Sequence, residues 1–164
     1  MGIMTTPPAS SSATRFDTLA QEAFLNLWRT YDRLRALEDE LFAGFGLTAQ
    51  QYNVLRLVKA SHPDPVPTLW IADRLVSRAP DITRMIDRLE QMGIVSRERS
   101  STDRRAVMIA MTPRGIALLD QIAGPLRECH DKQLGHLSPT KLKTLVSLLQ
   151  SARQPHEADD SPWK

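Results

Sequence analysis

The chain has 164 residues, with 21 Lys and Arg against 19 Asp and Glu, a formal net charge of +2 and one cysteine. A chain of this length suits one domain with extensions and can bury enough surface to need no disulfide or metal staple. The near-neutral balance does not by itself announce a nucleic-acid binder, the lone Cys129 excludes an internal disulfide, and no stretch approaches the about 18 apolar residues of a membrane helix.

Residues 1–15, with Pro7-Pro8 and Ser10-Ser11-Ser12, read as a disordered tail without the apolar core of a signal peptide. The first helix is predicted over residues 16–45. Leu19, Ala23, Leu27, Tyr31, Leu34, Leu37 and Leu41 recur at spacings of three and four, joined by Phe24, Trp28 and Phe42, and predict a long buried face. Gly44 and Gly46 stop it. Thr48 and Gln51 form a capping box for the second helix, whose apolar face continues through Tyr52, Leu55 and Val58. Pro63, Pro65 and Pro67 then force an extended connection, with room for a short strand at residues 66–68.

Thr68 is a candidate cap for the third helix, with Leu69, Ala72, Leu75 and Val76 inward. The fourth helix is expected to start near residues 77–80, capped by Ser77, with Pro80 tolerated in its first turn. Its inward stripe is Ile82, Met85, Ile86 and Leu89, and Gly93 supplies a left-handed C-cap. Residues 94–99 and 106–111 form a hairpin in which Val107, Ile109 and Met111 share a face. Thr112-Pro113 and Ser138-Pro139 each open a helix with a cap and a first-position proline. Residues 153–164 read as a flexible tail. The expected order is α-α-α-α-β-β-α-α: mainly helical, with a small β-hairpin wing.

The short link between the third and fourth helices fits a helix-turn-helix. Asp81, Thr83, Arg84, Asp87, Arg88 and Gln91 then face outward from the second of the pair. Such a helix reads bases with its N-terminal residues and holds phosphates further along. Arg78, Thr83 and Arg84 are therefore the candidates for the major-groove edge, and Ser77 for a phosphate. Arg88 is assigned to the DNA backbone or to an ion pair with Asp87 or Glu90. Asp81 is out of place near phosphates unless it accepts from a cytosine amine or complements the helix dipole. At the hairpin tip Arg104 and Arg105 lie too far out to be core, and arginines on a thin loop suit a narrow minor groove. Asp103 beside them is expected to shape the loop by pairing with an arginine.

The run from Asp103-Arg104-Arg105 through Met111-Thr112-Pro113-Arg114-Gly115 resembles the wing and following helix start of the MarR family of bacterial transcription regulators. Residues 82–90 followed by Gly93-Ile94-Val95 look like that family's recognition helix and its exit. Met111 stands where leucine is usual, and Ala79-Pro80-Asp81 is an uncommon helix start. The resemblance covers about residues 16–152. It implies an obligate homodimer on a pseudo-palindromic operator in double-stranded DNA, with Arg105 in the minor groove and Arg104 nearer the backbone. Residues 16–46 and 112–152 would supply the dimerisation helices and residues 48–111 the winged-helix lobe.

The apolar residues flanking that lobe can build a two-fold interface, an ordinary intramolecular core, or parts of both. Similarity to the family also implies a repressor released by a small aromatic or phenolic effector. Trp28, Tyr31, Tyr52, Arg56 and Trp70 are the candidate lining residues. Cys129 lies late in the fifth helix, unlike the sensing cysteine of the family's oxidant sensors. His62, His130, His136 and His156 lack metal-site spacing, so no metal or cofactor is expected. No paired nucleophile and base or phosphate loop points to an enzyme. The competing reading is a winged-helix protein–protein interaction module without an operator. The expected location is cytoplasmic.

Overall fold

The computed structural model describes residues 16–77, 81–99 and 106–163. Among these run α1 (Leu19–Ala43), α2 (Ala49–Ser61), β1 (Val66–Pro67), α3 (Thr68–Arg74), α4 (Ile82–Gln91), β2 (Val95–Arg99), β3 (Val107–Met111), α5 (Pro113–Leu134) and α6 (Pro139–Arg153). The chain is thus mainly helical with one small antiparallel sheet, of strand order β1-β3-β2. None of these helices is long and apolar enough to cross a membrane.

Local chemistry sets most of the boundaries. Thr48 and Gln51 close a full capping box, each backbone N–H donating to the other residue's side-chain oxygen at 2.9 and 3.1 Å. Thr112 Oγ1 accepts from the Gly115 amide and Ser138 Oγ from that of Lys141, each followed by proline in the first turn. Gly46 and Gly93 take φ +70°, the left-handed conformation that closes α1 and α4. After α4 the Gly93 amide donates to Glu90 O and the Ile94 amide to Leu89 O, so the chain turns directly into β2.

The core is built around the sheet. Val54, Leu55 and Val58 of α2, Ile71 and Leu75 around α3, and Ile86 and Leu89 of α4 are buried with Val66, Val95 and Ile109 of the strands. Leu119 and Ile122 of α5 complete it. Val66 and Arg97 both stand opposite Ile109, one on each neighbouring strand, which places all three on one face.

Four expectations are corrected. α3 turns Ile71 and Leu75 inward, while Leu69 and Val76 are exposed. Thr68 is the first residue of α3 rather than its cap, and its hydroxyl donates to Val107 O of β3 at 3.3 Å. The cap of α4 is Asp81, not Ser77: its Oδ1 accepts from the Arg84 amide at 3.0 Å. Ser77 instead accepts a long 3.5 Å bond from Gln50 Nε2.

The fourth concerns α1. Residues through Arg35 and those from Ala36 onward form two units. In the first unit the face expected to be buried is open, with Leu19 81%, Phe24 60% and Trp28 62% exposed. In the second, Phe42 is buried and stacks on Tyr52 at 4.5 Å. Periodicity identifies an apolar face but not what covers it.

Candidate nucleic-acid interface

α4 presents two unlike faces. Ile86 and Leu89 are fully buried, with Ile82 and Met85 packed beside them, while Thr83, Arg84, Arg88 and Gln91 are exposed. A surface able to meet a duplex is therefore made by the same pattern that seats the helix in the core. Arg84 is held at its base by Asp81, whose Oδ2 lies 3.1 Å from Arg84 Nε.

The seat of the helix comes from β2. Arg97 lies directly opposite Ile109 on the core-facing side of the sheet, where a charged group must be paired to be tolerated. Its guanidinium meets Asp87 Oδ1 at 2.5 Å and Glu90 Oε2 at 2.9 Å, and donates to the Thr83 carbonyl at 3.4 Å. The Arg97 side chain is only 29% exposed. Three contacts spread over two turns of α4 thus come from one side chain on the wing. Sequence reasoning missed this residue. The signal was its alternation with Val95, which puts an arginine on an inward-facing strand position.

The same geometry changes the reading of Arg88. Asp87 and Glu90, its expected partners, are both taken by Arg97. Among the described residues Arg88 has no ion pair, and its side chain is exposed to solvent.

A second joint ties α4 to α5. The Thr112 hydroxyl lies 2.7 Å from Gly93 O and 2.9 Å from Ile94 O, while accepting from the Gly115 amide at 3.0 Å. Gly115 packs so closely that a Cβ there would overlap the carbonyl oxygen of Ile94. Only glycine lets the first turn of α5 lie on the exit of α4 in this way. This is the physical reason for the Thr112 to Gly115 spacing.

Of the other candidate DNA contacts, Arg78, Arg104 and Arg105 lie outside the described residues, as does Asp103. The candidate effector residues are scattered in role. Trp28 and Tyr31 are exposed on α1, with the Arg35 guanidinium 6.0 Å from the Tyr31 ring. Tyr52 is half-buried against Phe42, and burial pushes its phenol up, with the Arg56 and Lys59 charges working the other way. Arg56 donates to Asn53 Oδ1 at 3.0 Å. Trp70 carries the Arg74 guanidinium 4.3 Å above its ring. None of the five lines the open cleft of about 750 Å³ between α3 and the C-terminal segment. Nor do they line the cleft of about 520 Å³ between α4 and the sheet, which is walled by Leu69, Thr83, Asp87, Arg97 and Val107.

Comparison with known proteins agrees with this architecture. A MarR family model matches residues 47–107. A MarR transcription factor from Planctomyces limnophilus of known crystal structure is 53% identical, over 83% of this chain and 98% of that one, with a TM-score of 0.66. The HTH-type transcriptional regulator MhqR of Bacillus subtilis is 28% identical over 126 residues, covering 77% of this chain and 86% of that protein. A cysteine-to-serine mutant of MarR from E. coli, solved in complex with operator DNA, is 23% identical over 83% of this chain and 98% of its own, with a TM-score of 0.73.

Proposed function

Because the chain belongs to the MarR family of transcription regulators, we propose that it acts as a homodimeric repressor on a pseudo-palindromic operator in double-stranded DNA. The family is one of regulators rather than enzymes. The observation that carries the proposal is α4. It is a helix with an exposed Thr83, Arg84 and Arg88 edge, seated by Arg97 so that its outward face is fixed relative to the wing strands. A rigid helix with a defined polar edge is what base readout in a major groove requires. In this reading Arg78, Thr83 and Arg84 meet base edges, Ser77 and Arg88 meet phosphates, and Arg104 and Arg105 on the wing meet the backbone and the minor groove.

The homodimer accounts for the apolar surface of α1 and for exposed Val146 and Leu148 on α6, which a lone chain would leave in water. Release by a small aromatic or phenolic effector is the regulatory part of the proposal. Tyr52, Arg56 and Trp70 are its candidate residues in the second unit, offering aromatic faces and a cation.

Selection of bound duplexes from a random pool tests the whole. A palindrome with half-site centres about 10 base pairs apart is expected. Replacing Arg104 and Arg105 by alanine should abolish salt-dependent duplex binding. Failure of the wild-type chain to enrich any sequence would leave the protein–protein module as the better reading.

A further inference from the structure

We propose that Asp81 and Arg84 form a guanine-reading pair, in which Arg84 makes the base contact and Asp81 positions it. The inference rests on the DNA-binding reading above and narrows it to one base in each half-site.

Asp81 is bound twice to the same residue. Its Oδ1 accepts from the Arg84 backbone amide at 3.0 Å, and its Oδ2 forms an ion pair with Arg84 Nε, 3.1 Å away. The first bond caps α4, so the carboxylate is already fixed before the side chain meets it. The second closes a ring through the Arg84 side chain and restricts its rotamers. Among the described residues the terminal nitrogens of the guanidinium have no further partner, and the Arg84 side chain is 87% exposed. What projects from the start of α4 is thus a planar fork of N–H donors.

Guanine is the base that fits such a fork. Its major-groove edge offers two adjacent acceptors, N7 and O6. Adenine puts an amine donor beside N7, where the second arm of the fork would meet another donor. Thymine and cytosine each offer at most one acceptor on that edge.

The carboxylate also changes what Arg84 gains from the rest of the duplex. A free arginine is drawn to any phosphate and adds affinity without regard to sequence. With Asp81 beside it the pair carries no net charge, and the carboxylate is repelled by the backbone. Arg84 then gains little from an arbitrary duplex and much from a correctly placed guanine. Asp81 therefore lowers non-specific binding and widens the gap between operator and other DNA.

The test uses the full chain and a duplex obtained by selection from a random pool. Single guanines are replaced in turn by 7-deazaguanine, which lacks the N7 acceptor. The wild-type protein should lose about ten- to a hundred-fold in affinity at one symmetric guanine per half-site. Arg84→Ala should be indifferent to the substitution at that guanine and remain sensitive elsewhere. Arg84→Gln should shift the preference there toward adenine. Asp81→Asn keeps a competent cap and removes the charge, so it should bind unrelated duplexes more tightly and shrink the operator preference by about ten-fold. A uniform loss in Arg84→Ala, with the sensitivity to 7-deazaguanine intact, would make Arg84 a phosphate contact and overturn the proposal. An unchanged operator preference in Asp81→Asn would overturn the role of Asp81. If the wild-type chain selects no duplex at all, the DNA-binding reading itself fails and this pair fails with it.

Discussion

Gly115 is the residue with the least room to vary. An added methyl group would overlap Ile94 O and approach Met111 Cε to 2.8 Å. The first of these is backbone and cannot swing away. Gly115→Ala should destabilise the fold by about 1–3 kcal/mol, towards the upper figure, read from the midpoint of urea unfolding. An unchanged midpoint would mean that α5 does not rest on the exit of α4. Cys129 is constrained differently. It is buried on α5, and burial pushes its thiol up, with Glu38 acting in the same direction and Lys132 against. A thiol whose folded ionisation is raised adds stability below its unfolded pKa, and that contribution is lost as pH rises through the folded pKa. Alkylation of Cys129 should therefore be slower than in the unfolded chain at about pH 8, with its pH profile displaced upward. Superimposable profiles for folded and unfolded chains would show that the thiol ionises freely.

Among the elements, the pairing of α4 with β2 is the most consequential. Arg97 serves Asp87, Glu90 and the Thr83 carbonyl together, and the two carboxylates are partly solvated, so each ion pair alone is weak. Arg97→Ala should cost about 1 kcal/mol of stability after allowing for that screening, and should weaken operator binding as α4 loses its seat. Arg97→Lys should recover little, because one ammonium cannot span two carboxylates and a carbonyl. A lysine variant matching the wild type in both urea unfolding and duplex titration would sink this account.

The same element shows where sequence reasoning stops. The starts of α2, α5 and α6 were legible because each is encoded within four residues: Thr48 with Gln51, Thr112 with Pro113, and Ser138 with Pro139. The inward stripe of α4 was legible because ten residues sample its period nearly three times. α3 has seven residues, about two turns, and Leu69 fits an apolar stripe as well as Ile71 does. Arg97 was not legible as a clamp, because its partners lie seven to fourteen residues away and meet it only once strand register and helix packing are set. From sequence, Asp81 has only a cytosine amine or the helix dipole to answer to. Its use as a cap and as a brace for Arg84 depends on where α4 begins.

At the scale of the whole molecule, the exposed face of α1 is the surface that the proposed homodimer would cover. Leu19, Phe24, Leu27, Trp28 and Tyr31 together are too much apolar surface for a helix meant to remain in water. The chain should sediment at twice its own mass. Leu27→Glu should drive it toward a single copy at micromolar concentration while the helical circular dichroism of the rest is retained. A wild-type chain that sediments as one copy would refute the homodimer.

In mechanical terms the junction of Thr112 and Gly115 is a weld and not a hinge. One hydroxyl grips both carbonyls at the exit of α4, and the backbones touch where a methyl group will not fit. A torque on α5 therefore finds no slack at its root and passes into α4. Up to Gly124, before the interior Pro125, α5 is an unbroken lever arm about 18 Å long. A tilt of about 11° sweeps the end of such an arm through about 3.4 Å, the rise of one base pair. In the proposed dimer, a ligand would need to turn the two arms by only that much to put their recognition helices out of step with an operator.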